Sequence, residues 1–156
     1  MKKTSPQIPK NILSRIDPKD ENTLKEIAKK MSENFFETAL GEKLKTATWV
    51  ESELAYIHLV ENPQTKEHRL IKGSIDLVFK DKESEQYFII DFKTDSTIQP
   101  IKHLTQLYFY KEAVIKMKQI PSTSVRSYIF YLRYNKAIEL TKEIEKIQPN
   151  LLIENY

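Results

Sequence analysis

From Asp20 to about Lys45 the apolar residues Leu24, Ile27, Ala28, Met31, Phe35, Leu40 and Leu44 recur at roughly helical spacing. Such a series marks a helix that buries one stripe, and Gly41 interrupts it, so the segment reads as one long helix or two short ones broken at Gly41. The period then changes. Trp49 to Leu59, Leu70 to Phe79 and Gln86 to Lys93 are rich in aromatic and β-branched residues, and the stretches between them carry Pro63 or a run of Lys and Glu. They predict three strands in a meander. Pro100 opens a second helical segment to about Lys118, and Pro121 closes it. Val125 to Tyr134 and Ala137 to Leu140, joined at Asn135-Lys136, predict a closing hairpin. Strands before and after a helix predict an α/β fold, a mixed sheet of about five strands flanked by helices. Residues 1–19, with Pro6, Pro9 and Pro18, read as an irregular arm, and 20–156 as a single domain.

Two of the predicted strands carry a carboxylate at the end of an apolar run. Asp76 stands in Gly73-Ser74-Ile75-Asp76-Leu77-Val78-Phe79, and fifteen residues later comes Asp91-Phe92-Lys93-Thr94-Asp95. Successive strand side chains point to opposite faces, and same-face neighbours lie roughly 6.6 Å apart, so Asp91 and Lys93 project together. An antiparallel pairing through the Lys80-to-Gln86 connection would bring Asp76 and Asp91 onto one divalent ion. Two acids and a lysine are the minimal set for metal-assisted phosphodiester hydrolysis. Alone, the pair Asp91 and Lys93 reads equally well as a same-face salt bridge.

The order acid, hairpin, acid-x-lysine, then a helix with Gln106-Leu107-Tyr108-Phe109-Tyr110, resembles the PD-(D/E)XK nucleases. Within them it is similar to the C-terminal nuclease domain of RecB and AddA helicase-nucleases. G-x-I-D-L-V-F is matched by Gly73 to Phe79, D-[YF]-K-[ST] by Asp91 to Thr94, and Q-x-x-x-Y by Gln106 and Tyr110. Phe35-Phe36 to Leu44, followed by Glu53, is similar to the family's F-x-S-x-L-G-x-x-L segment and its acidic strand. The resemblance runs from about residue 33 to 141. It implies a restriction-endonuclease-like core and a metal-dependent DNA nuclease, exonucleolytic and working with a helicase in repair or recombination. The implied substrate is DNA, single-stranded or at ends.

Magnesium, with manganese as its substitute, prefers oxygen ligands and keeps several waters. Asp76, Asp91 and the carbonyl of Phe92 would make such a partial shell, and the resemblance implies the same set. Glu53 is the preferred third acid; Glu51 is its rival by period-two counting. Lys93 could orient an attacking water or stabilise charge on the phosphoryl oxygens, and the second suits a lysine beside carboxylates. Thr94 and Asp95 are candidates for phosphate contacts, or simply turn residues. Gln106 and Tyr110, at i and i+4, share a helix face. Leu107, Tyr110 and Val114 would otherwise read as a core stripe, but the resemblance implies that Gln106 and Tyr110 organise the site or touch DNA. Lys102 and His103, one turn earlier, are candidates to meet phosphates.

The resemblance departs at the N-terminus. RecB and AddA nucleases carry a histidine upstream of the F-x-S-x-L-G segment, whereas His58, His68 and His103 all lie later. A catalytically weak or inactive nuclease-fold module for DNA or subunit binding is therefore the alternative reading, and full activity is expected to need a DNA-translocating partner or a further segment. An unrelated α/β interaction domain is the third.

Composition narrows this little. The 156 residues are 40% apolar, enough for one real core. With 25 basic and 22 acidic residues the net charge is only +3, which neither demands nor excludes nucleic acid. The absence of cysteine excludes disulfides, thiolate metal sites and cysteine nucleophiles. Two glycines cannot build a G-x-x-x-x-G-K-[ST] phosphate loop beyond their present places, so any motor lies elsewhere. No apolar run approaches the ~20 residues that span a bilayer, and Met1-Lys2-Lys3 leads into Thr4-Ser5-Pro6 rather than an apolar stretch. A cytoplasmic protein with no membrane partner is expected.

Overall fold

The computed structural model describes residues 21–62 and 64–148, so the expected arm at 1–19 lies outside the described residues. Helices α1 (Glu21–Phe36) and α2 (Ala39–Lys45) precede strands β1 (Trp49–Glu61), β2 (His68–Lys80) and β3 (Tyr87–Lys93). A 3₁₀ turn (Pro100–His103) leads into α3 (Leu104–Lys118). Then come β4 (Val125–Tyr131), a second 3₁₀ turn (Leu132–Tyr134), β5 (Lys136–Glu139) and α4 (Thr141–Glu145).

The strands form one sheet in the order β1-β2-β3-β4-β5. All neighbours are antiparallel except β3 and β4, which run parallel across the α3 crossover. This is the mixed, helix-flanked sheet that the alternation of patterns predicts. The fourth predicted strand, Val125 to Tyr134, is cut short at Tyr131, because residues 132–134 wind into a 3₁₀ turn that ends on Asn135 in the left-handed region.

The first helical segment is two helices, but the break is not at Gly41. It falls at Glu37 and Thr38: the Thr38 hydroxyl donates to the Phe35 carbonyl (2.6 Å) and accepts from the Gly41 N–H (3.2 Å), closing one helix and capping the next. Gly41 lies inside α2, where a Cβ would come within 2.2 Å of the Phe35 carbonyl oxygen. Its role is close backbone approach.

Helices cover the sheet on both faces. Phe35, Leu40 and Leu44 of α1 and α2 pack on Leu77, Phe79, Phe88, Ile90, Phe92 and Phe130. On the other face Leu107, Tyr110 and Val114 of α3 pack on Ile75, Val78, Ile89 and Ile129. Strand β3 is buried on both sides and alternates strictly, with Phe88, Ile90 and Phe92 toward α1 and α2. By that alternation Asp91 and Lys93 point with Ile89 toward α3. Among the described residues no helix is long and apolar enough to cross a membrane.

Candidate active site

Strands β2 and β3 pair from Lys80↔Tyr87 to Leu77↔Ile90, and the pairing ends just before Asp76 and Asp91, the next residue of each strand. The backbone ladder stops there. Instead the Asp76 carboxylate accepts a hydrogen bond from the backbone N–H of Phe92 at 2.9 Å, so a side chain takes over where strand pairing ends.

The same rung carries a second irregularity. In β2, Ile75 belongs to the α3-side core and Leu77 to the α1–α2-side core, although strict alternation would put both on one face. In β1, Trp49 and Leu54 both pack on the α3-side core despite their odd separation. Both strands thus reset their pleat at one level, between the pairs Ser52↔Leu77 and Leu54↔Ile75, where Glu53 adopts φ 52°. The reset frees Asp76 from either core layer.

Asp91 and Lys93 meet as alternation requires: Lys93 Nζ lies 2.8 Å from Asp91 Oδ2. Lys93 also donates to Gln106 Oε1 (3.0 Å), and Gln106 Nε2 donates to the Tyr110 hydroxyl (2.6 Å). The chain has a direction. An ammonium can only donate, which fixes the Gln106 amide, and an amide nitrogen can only donate, which leaves the phenol to give its own proton elsewhere. The Tyr110 ring stands edge-on to Tyr56, 5.6 Å between centroids. Tyr56 in turn lies over Gly73, its cross-strand partner, where a Cβ would sit 2.9 Å from the ring and the hydroxyl.

These groups face a cleft of about 670 Å³ whose walls include Asp76, Asp91, Gln106, Tyr110, Tyr56, Ser74, Lys72, Lys102 and His103. Asp76 and Asp91 are 4% and 1% exposed. Burial pushes the Tyr110 phenol well above its usual range, and the nearby Asp91 and Asp76 charges add to the rise. At the mouth, Asp95 accepts from Lys102 Nζ (3.3 Å) and contacts His103 Nε2 (3.2 Å). Burial opposes the Asp95 charge, yet these two partners hold its carboxyl below the ordinary value. His103 is lowered by burial and by the Lys93 charge, with Asp95 only partly offsetting them. Thr94 lies beyond the cleft walls, its carbonyl accepting from Arg133 Nε at 2.6 Å. The connection to α3 is pinned further by Gln99 N–H on the Tyr131 hydroxyl (3.1 Å) and by the Tyr134 hydroxyl on the Ser96 carbonyl.

The structure therefore gathers Asp76, Asp91, Gln106, Tyr110 and Lys102 on the walls of one cleft, while Lys93, outside those walls, joins them through Asp91 and Gln106. Glu53 and Glu51 are exposed and stand outside its walls. Tyr56 escaped sequence reasoning. The signal for it is Gly73, a strand glycine, since a glycine in a strand often marks the close approach of a neighbour.

Among the described residues no three histidine or acidic side chains are gathered into a protein-only metal cage. Two buried carboxylates at an open polar cleft suit a hard ion that keeps several waters, and lack the nitrogen and sulfur ligands of a structural zinc site.

A family model described as the PD-(D/E)XK nuclease superfamily matches residues 4–153. The chain belongs to that superfamily. PD-(D/E)XK proteins are generally nucleases that hydrolyse phosphodiester bonds with divalent metal ions. No curated protein matches the chain. Among solved structures it is similar to one titled "Crystal structure of SSO0001", at 14% identity over 93% of this chain and 77% of that one, with a TM-score of 0.48.

Proposed function

We propose that this PD-(D/E)XK domain is a magnesium-dependent deoxyribonuclease of the RecB and AddA type, exonucleolytic on single strands or ends. The observation that supports it most is the convergence of Asp76 and Asp91 on one cleft with the chain Lys93, Gln106, Tyr110 beside them. Asp76, Asp91 and the Phe92 carbonyl would hold the ion, which when bound supplies Lewis-acid stabilisation and an activated water. Lys93, kept in place by Asp91 and Gln106, offers its remaining donor to a phosphoryl oxygen. Gln106 and Tyr110 fix that lysine and line the path of the strand, while Lys102 meets a flanking phosphate. Thr94 and Glu53 act from the margins, Glu53 from the rung of Asp76. A cooperating helicase and a role in repair complete the reading, as does a single domain over 20–156.

A second reading, a nuclease-fold module that binds DNA without cutting it, is favoured by the lack of a third acid on the cleft walls among the described residues. One assay separates them. Labelled linear and circular DNA, single-stranded and duplex, is incubated with magnesium, manganese or chelator. Metal-dependent loss of linear substrate alone supports the first reading; binding without cleavage in every condition supports the second.

A further inference from the structure

We propose that the open edge of β1 is a self-association surface, at which a second copy of this chain adds its own β1 antiparallel and extends the sheet. The sheet has two edges, and they differ in kind. β5 is four residues long and carries Lys136 and Glu139 at its ends, the usual protection of an edge against further pairing. β1 is 13 residues long and, among the described residues, pairs only with β2. From Leu54 to Val60 it holds no Lys, Arg, Asp, Glu, Pro or Gly. Long, uncharged, apolar edges of this sort invite another strand.

Both faces beside that edge are prepared for one. On the face away from α3, Ile57 and Leu59 are 68% and 54% exposed, and Leu70, directly across from Leu59, is 61% exposed. The described α1 and α2 side chains pack farther along the sheet and do not reach this patch. On the α3 side a groove of about 400 Å³ runs between β1 and the helix, lined by Ala55, Tyr56, His58, Ala113 and Met117 among others. The Nδ1 atom of His58 is buried there with no hydrogen-bond partner among the described residues.

Self-complementarity selects the occupant. Centring the antiparallel pair on His58 sets Ile57 of each copy against Leu59 of the other, with Leu70 completing an apolar row on either side. Ala55 then opposes Glu61. Moving the centre to Ile57 would set Glu53 against Glu61 in both halves, and moving it to Leu59 would set Ile57 against Glu61; neither is favourable. The left-handed backbone at Glu53 and the charge of Glu61 bound the paired stretch. Complete coverage of these side chains in two copies reaches only the order of 1,000 Å², the lower limit for a specific interface. An interface at this limit points to a weak, concentration-dependent dimer.

The full chain is examined by light scattering and sedimentation from micromolar to millimolar concentration. Its mass is expected to rise from 18.4 kDa toward twice that value. Leu59→Lys, at an exposed position that leaves the fold unchanged by circular dichroism, is expected to raise the dissociation constant at least tenfold. Because the chain has no cysteine, His58→Cys supplies a single thiol on the proposed two-fold, where opposed Cα atoms about 4.5–5.5 Å apart allow a disulfide. It is expected to form a covalent dimer on mild oxidation. Leu54→Cys, displaced from its own copy by about 27 Å along the strands, is not. A parent chain that stays monomeric, a Leu59→Lys chain that still dimerises, or equal crosslinking by both cysteine variants would overturn the proposal.

Discussion

The carboxylate of Asp76 accepts the backbone N–H of Phe92 at 2.9 Å, at the rung where β2 and β3 cease to pair. One side chain thereby both closes the sheet and lines the cleft.

These two duties can be separated. Asp76→Asn retains an acceptor for the Phe92 N–H but removes the charge, whereas Asp76→Ala strands a buried donor, at about 1–3 kcal/mol. The asparagine variant is expected to unfold near the parent's temperature and to lose metal-dependent cleavage. The alanine variant loses both. Thermal denaturation alongside cleavage of linear DNA checks this; an active asparagine variant would remove Asp76 from the metal site.

Gln106 is expected to matter through Lys93. Gln106→Ala leaves the lysine with Asp91 alone and frees Tyr110, so cleavage is expected to fall roughly 10- to 100-fold, with Lys93→Ala falling 10²- to 10³-fold. Since Gln106 acts by holding Lys93, the double variant is expected to be no slower than Lys93→Ala. Additive losses would mean that Gln106 serves the reaction independently.

How far the sequence disclosed this arrangement depended on which physical rule governed each piece. Strand alternation was sufficient for Asp91 and Lys93, because β3 is regular and buried on both sides. The i, i+4 spacing likewise joined Gln106 to Tyr110, and the core-stripe reading of Leu107, Tyr110 and Val114 holds as well, since Tyr110 is core at its ring and site at its hydroxyl. Period counting ran out at the rung of Glu53 and Asp76, where two strands reset their pleat together and parity no longer names a face. It failed also at Gly41, read as a break although a threonine cap made the break three residues earlier and the glycine serves interhelical contact. Both failures are tertiary: a backbone irregularity shared by two strands and a close approach between two helices leave no local periodic trace. The five-residue α4 is too short to have one.

Asp81 sets an acid limit on stability. Burial alone would raise its carboxyl, but the hydroxyl and N–H of Ser84 and the ammonium of Lys43 outweigh it and bring it down to about 2. These bonds, at 2.6, 3.0 and 3.0 Å, fasten α2 to the β2–β3 turn. A carboxyl depressed in the folded state stabilises above its unfolded value of about 3.9, and the contribution disappears as pH falls through 2. Lys43 is a third exposed, so solvent screening reduces the gain to roughly 1–2 kcal/mol. Asp81→Asn is expected to lower stability by about that amount at pH 7 and to match the parent near pH 2. Denaturant titrations across this range give the comparison, and a constant difference at every pH would reject the assignment.

Gly73 is expected to control the cleft wall through Tyr56. A methyl group there would lie 2.9 Å from the Tyr56 ring and hydroxyl, inside the contact limit, and the ring cannot retreat freely because Tyr110 stands against it at 5.6 Å between centroids. Displacing Tyr56 therefore presses on Tyr110, and through Gln106 on Lys93. Gly73→Ala is expected to cost roughly 1–3 kcal/mol by overpacking and to slow cleavage more than binding. Tyr56→Ala in the same chain makes room for the methyl group, so the double variant should recover stability relative to the sum of the two single losses. Chemical denaturation of the four proteins measures that coupling, and strictly additive losses would show that the strain at Gly73 is relieved somewhere other than at Tyr56.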